Sequence, residues 1–234
     1  MQINFKDTFK RVPAFIEIRI LYHFAILLLN AYFLIEFLSS KIGNRTFFQK
    51  LCYLTSLNQV SIVIYYLIVF FYNIRLYINS YPASTVKRCP KLLLVYLKTN
   101  LSVACLVVVS FWLMKIIAPE MLIPKKLEET VQIPWIVDVW LHLINFLFLL
   151  LELVWEQHRR FQFPMEKQFH VFLVIFFTYG VVLLGHDLYY EKQVYPFLRH
   201  LTVLTSALMS IVTVGLLVIF DFGFNLVIQE LWTD

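Results

Sequence analysis

Charge is scarce in this chain. Lys, Arg, Asp and Glu together make up 15% of its 234 residues, whereas a soluble globular domain carries about 25%. So little polar surface cannot wrap a water-facing core of this size, which excludes an ordinary soluble enzyme. Glycine is rare as well, with five residues in all. There is no Gly/Ser-rich linker, no low-complexity tract and no internal repeat, so a single domain spanning residues 1–234 is expected. Cysteine is limited to Cys52, Cys89 and Cys105. An odd, scattered set without a Cys-x-x-Cys motif excludes a disulfide framework and a zinc site. Nothing resembles a cleavable signal peptide, and the first long apolar run is expected to serve as the insertion signal itself.

Apolar residues fill the space that charge leaves. The chain is 60% hydrophobic and 18% aromatic, with a mean hydropathy of +0.74. Crossing the hydrocarbon core takes about 20 such residues in a helix. Six runs qualify: Ala14–Leu38, Phe47–Tyr72, Leu92–Ala118, Ile133–Trp155, Phe169–Tyr190 and Phe197–Val218. The expected fold is all-α, an integral membrane bundle of six transmembrane helices. Six spans put both termini on one side. Twelve Lys and Arg fall on that side against eight on the other, which predicts cytosolic termini. The net charge of +5 is divided among the loops and forms no stripe, so it points to a membrane surface and not to nucleic acid. The first thirteen residues alternate bulky apolar residues with Lys6, Lys10 and Arg11, and a short interfacial piece is one reading of them.

Two polar residues interrupt the apolar runs at matching depth. Thr55 lies eight residues into the second run, or about 12 Å. His142 lies nine into the fourth, about 13–14 Å from the same face. A hydroxyl beside an imidazole is a nucleophile–base combination. Asp138, four before His142, shares its helix face and is a candidate to orient the ring; Asn145, three after, shares it too. Asn58, three after Thr55, is a candidate donor to a developing oxyanion. Ionisable groups at membrane depth usually face the bundle interior, although a mid-span threonine can also bond its own backbone. Glu152, near a span end, is expected to snorkel or to pair with a basic neighbour. Asp221, beyond the last run, is expected to be solvated.

The same residues carry a family resemblance. Leu51–Asn58, LCYLTSLN, resembles the motif around the nucleophilic threonine of the androgen-induced gene 1 family, also called FAR-17a-like. EMLIP at Glu120–Pro124, followed by IPWIVDVWLH at Ile133–His142, resembles the approach to that family's histidine. Leu151-Glu152 and His158–Pro164 resemble the segment after it, and VYPFLRH at Val194–His200, with His186 upstream, is the strongest match. The resemblance implies a multi-span hydrolase of the endoplasmic reticulum with Thr55 as nucleophile and His142 as base. It further implies fatty acid esters of hydroxy fatty acids as substrates. His186, Tyr195 and His200 become candidates for the mouth of the site. Two departures stand out: Leu51-Cys52 where members often carry Trp-Lys, and Asp138-Val139 where they often carry Asn-His. No cofactor and no metal is expected, and the expected partners are the bilayer and a membrane lipid or fatty acyl ester. The rival readings are a non-catalytic lipid-binding protein of the same fold and a transmembrane haem protein using two layers of histidines. The shortage of glycines to admit a porphyrin argues against the second.

Overall fold

The computed structural model describes residues 16–42, 45–78, 91–117, 131–155, 165–190, 194–195 and 203–232. Its elements run in the order α1 (Ile16–Ser39), β1 (Lys41–Ile42), α2 (Phe47–Leu51), α3 (Leu54–Ile78), α4 (Lys91–Ile117), β2 (Val131–Gln132), α5 (Trp135–Val139), a π turn (Trp140–Ile144), α6 (Asn145–Trp155), α7 (Met165–Tyr190) and α8 (Val203–Trp232). Among the described residues six helical stretches are long and apolar enough to cross a membrane: Ile16–Ser39, Leu54–Ile78, Leu92–Ile117, Trp135–Val154, Gln168–Tyr190 and Leu208–Val227. The fold is therefore all-α, with six membrane-spanning helices. A two-residue antiparallel ladder, Lys41 with Gln132 and Ile42 with Val131, ties the chain after α1 to the approach of α5.

Helix α4 is the most enclosed span; it packs against α3, α6, α7 and α8, while α1 runs along α3. The main core is a cluster of Tyr65, Tyr66, Leu97, Leu101, Leu149 and Leu153 with their neighbours. Large apolar side chains such as Val181, Leu184 and Ile211 remain exposed on α7 and α8, as a lipid-facing surface requires. Because lipid is as apolar as leucine, the hydrophobic effect does not drive one span against another, and buried polar contacts take over part of that task. Two such contacts involve ionisable side chains. The His23 Nε2 of α1 lies 2.9 and 3.0 Å from the two oxygens of Glu152 in α6, and Asn73 Nδ2 of α3 lies 3.0 Å from His23 Nδ1. Both His23 and Glu152 are 1% exposed, so Glu152 does not snorkel; it takes the pairing alternative, with an imidazole in the interior.

The second contact corrects the sequence reading of the last span. Asp221 is buried within α8, not solvated beyond it. Its Oδ2 accepts from Asn225 Nδ2 at 3.1 Å, Asn225 Oδ1 accepts from Lys98 Nζ of α4, and Lys98 is the cation that acts on Asp221. The paired acid lets the span continue to Val227, so the membrane stretch lies later than the run read from hydropathy alone.

A second correction bears on the site. The second apolar run is broken in two. Thr46 caps α2 with a capping box, its Oγ1 accepting from Gln49 N–H while Gln49 Oε1 accepts from Thr46 N–H. The helix stops at Cys52, and α3 begins afresh at Leu54. Lys50 secures the break. Its buried Nζ donates to the carbonyls of Leu38 and Ser40 at the end of α1, which would otherwise lack partners. Burial pulls that ammonium below the usual lysine range. On the other side, Ser56 Oγ of α3 donates to Lys50 O at 2.7 Å.

Candidate active site

The break in the second run places Thr55 in the first turn of α3 rather than eight residues down a continuous helix. Leu57 N–H closes that turn onto Tyr53 O at 3.0 Å. The N–H groups of Leu54, Thr55 and Ser56 therefore have no acceptor inside the helix, as at any helix N-terminus. Leu54 N–H donates to the Tyr195 hydroxyl at 3.0 Å. Those of Thr55 and Ser56 meet no backbone acceptor outside the helix among the described residues. They stand at the positive end of the helix dipole, next to the Thr55 hydroxyl.

His142 sits in the middle of the π turn. Its ring folds back one turn toward the start of its own helix, as long side chains on helices do, and so reaches the level of Asp138. Nδ1 lies 2.9 Å from the Asp138 backbone oxygen and 3.2 Å from Asp138 Oδ1. Both are acceptors, so Nδ1 carries the proton, and Nε2 presents its lone pair. Nε2 lies 3.3 Å from Thr55 Oγ1. The structure thus brings Thr55, His142 and Asp138 into one chain of contacts, across 87 residues of sequence for the first pair. Thr55 is half-buried, and His142 is 6% exposed.

Three residues that sequence reading passed over complete the surroundings. Phe111 of α4 stacks flat on the imidazole, ring centroids 3.5 Å apart at 10°. Trp112 Nε1 donates to the His142 backbone oxygen at 3.3 Å, so α4 grips the π turn itself. Lys115 Nζ lies 2.8 Å from Asp138 Oδ2 and about equally over the Phe111 and Trp112 rings, at 5.1 and 5.0 Å. In the sequence Lys115 reads only as a charge at a span end. Its spacing from Phe111 and Trp112, four and three residues, was the available signal that all three share a face. The π turn left no such signal; extra-residue turns of this kind recur at functional sites.

The remaining candidates divide. Asn58 is buried one turn below Thr55, and its Oδ1 meets no partner among the described residues. A buried carboxamide oxygen without a partner is costly in an apolar interior, so this group is available to something not fixed by the fold. Tyr195 does meet the site: besides Leu54 N–H, its hydroxyl lies 3.5 Å from that of Tyr179, which also donates to Cys52 O at 3.4 Å, and its ring meets Tyr53 edge-on. Enclosure raises the Tyr195 phenol above its usual range, and burial pushes Tyr53 up to about 12, so both stay protonated donors at neutral pH. His186 is buried on α7 with its ring 4.9 Å from that of Tyr190. His200 lies outside the described residues.

Tyr195→Phe is expected to speed hydrogen exchange at Leu54 N–H and to destabilise the start of α3 by about 1 kcal/mol, the worth of one such hydrogen bond. Unchanged exchange at that amide would mean that the hydroxyl does not hold this turn.

A family model described as FAR-17a/AIG1-like protein matches residues 18–227. No curated protein and no solved structure matches the chain.

Proposed function

The chain belongs to the FAR-17a/AIG1-like family, and from that premise we propose that it is an intramembrane hydrolase of acyl esters, with Thr55 as nucleophile and His142 as general base. The observation that carries this reading is the 3.3 Å approach of Thr55 Oγ1 to His142 Nε2, on the side of the ring left unprotonated by the Asp138 contacts. A threonine hydroxyl is a poor nucleophile until a base takes its proton, and imidazole does so near neutral pH. As Oγ1 attacks the ester carbonyl carbon, its proton passes to Nε2. The carbonyl oxygen becomes an oxyanion beside the Thr55 and Ser56 N–H groups, with Asn58 as a further candidate donor. Collapse breaks the carbon–oxygen bond to the alcohol, which leaves with the proton from Nε2. Water, deprotonated by the same nitrogen, then attacks the acyl-threonine, frees the carboxylic acid and restores the hydroxyl.

The substrate class that the resemblance implies is the fatty acid esters of hydroxy fatty acids. Their chains would enter sideways from the bilayer, and the apolar, aromatic spans suit them. Residence in the endoplasmic reticulum with cytosolic termini is part of the same proposal; the first rests on the resemblance and the second on the charge bias.

The direct test is turnover of acyl esters by membranes containing the protein, together with labelling by an electrophilic serine/threonine hydrolase probe. Labelling is expected to map to Thr55. Membranes that hydrolyse no acyl ester above background would replace this reading with the non-catalytic, lipid-binding one.

Asp138 separates two contributions to that chemistry. Its backbone oxygen fixes the His142 tautomer whatever its side chain is. Asp138→Asn should therefore lower turnover by about 10–100-fold, well short of the roughly 10⁴-fold loss seen where a carboxylate alone sets the tautomer. Asp138→Ala should lower it further, because asparagine keeps a side-chain oxygen that accepts from Nδ1–H and alanine does not. Equal turnover in all three forms would reduce the carboxylate to an interfacial charge.

A further inference from the structure

One turn below the Thr55–His142 pair, the two helices that carry it are joined by a chain of buried amides. Gln59, four residues after Thr55, presents its Oε1 to Asn145 Nδ2, three residues after His142. Gln59 Nε2 in turn donates to Asn30 Oδ1 at 2.8 Å and to Asn30 O at 3.0 Å, and Asn30 Nδ2 is anchored on Ile26 O at 2.8 Å. Asn30, Gln59 and Asn145 are all buried, none above 2% exposed. The backbone N–H of Asn145 also donates to Trp140 O, the bond that closes the π turn around His142. Asn145 therefore acts twice, once on the turn that holds the imidazole and once on the helix that holds the hydroxyl.

Apolar packing between spans tolerates small slides and rotations, since lipid and leucine side chains are nearly equivalent surroundings. Directional amide bonds do not. We infer that Gln59 and Asn145 are positioning residues: they set the register of α3 against the π turn, so that Thr55 Oγ1 meets His142 Nε2. The inference deepens the hydrolase reading and rests on it for its kinetic consequence, but the register itself is a property of the fold. A misplacement of about 1 Å at reacting groups costs about 100-fold in rate, so a lost register reads out in kcat with the substrate site untouched.

The test replaces both partners by apolar groups of similar shape, Gln59→Met with Asn145→Leu, in an Asn30→Leu background because Gln59 is also the donor to Asn30 Oδ1; no amide of the chain is then stranded, and the exchange can be nearly neutral for stability. A merely structural bond predicts that each single change destabilises and that the double change regains both stability and activity. A positioning role predicts that the double variant is folded and as thermally stable as wild type, yet has a kcat lower by about 10–100-fold at unchanged KM. The exchanged pair, Gln59→Asn with Asn145→Gln, is then expected to recover most of the rate. A second readout needs no turnover: with Cys52, Cys89 and Cys105 changed to alanine, Thr55→Cys and His142→Cys are bridged by a short bifunctional thiol reagent such as dibromobimane. Bridging should fall when Gln59→Met and Asn145→Leu are added. Wild-type kcat and undiminished bridging in the folded double variant would overturn the inference. If the parent protein hydrolyses no ester, bridging alone decides: its loss upholds the positioning while the hydrolase reading falls, and its persistence sinks both. Should the double variant not fold, Asn145→Ser, which shortens the reach without adding bulk, is read the same way.

Discussion

Thr55→Ala and His142→Ala are each expected to abolish nearly all ester hydrolysis, and the two together to cost little more than either alone. The expectation follows from contact, not from the identity of the residues. In the proposed mechanism the proton passes between Oγ1 and Nε2, which lie 3.3 Å apart, so removing either partner is expected to remove the whole unit. Groups that act as a unit are grossly non-additive, whereas independent contributions multiply. Activity is to be compared at equal protein abundance in membranes. Multiplicative losses would mean that the two residues act on separate steps, and a His142→Ala variant with wild-type turnover would end the base assignment. Thr55→Ser is the useful control: it keeps the hydroxyl, and so most of the rate.

The second large effect is on stability and lies at the other end of the bundle. His23→Leu is expected to cost about 3–5 kcal/mol, because it leaves the Glu152 carboxylate buried with its partner removed. Total stability of an ordinary domain is roughly 5–15 kcal/mol, so the folded, detergent-stable fraction should drop steeply. Both side chains are 1% exposed, and neither can swing out to water as an interfacial charge would. Replacing both, His23→Leu with Glu152→Leu, should recover much of the loss, since a buried pair exchanged for apolar groups is often neutral or better. Thermal melting and expression level read the outcome. A His23→Leu protein that melts like wild type would show that the pair contributes nothing to holding α1 against α6.

The amino-acid sequence alone settled what each stretch could be. Scarce charge and long apolar runs fixed an all-α membrane fold, because a spanning segment must satisfy its backbone internally and meet lipid outside. Thr55 and His142 were legible as polar intruders in apolar runs, and the order of short motifs was enough to indicate the family. The capping box at Thr46 and Gln49 was also written in the sequence and marked a helix start that hydropathy, being an average over residues, smooths away.

Tertiary structure decided which polar residues meet. Asp221 looked like an exit to water because nothing near it in sequence announces Lys98, and Glu152 finds His23 across 129 residues. Lys115, Phe111 and Gln59 gain their places around the site only once α3, α4 and the π turn are packed together. The physical reason is the solvent. Transfer of each residue into lipid is a local, nearly additive property that a single chain displays in full. A buried hydrogen bond or ion pair depends on a partner and an angle that only the assembled bundle supplies.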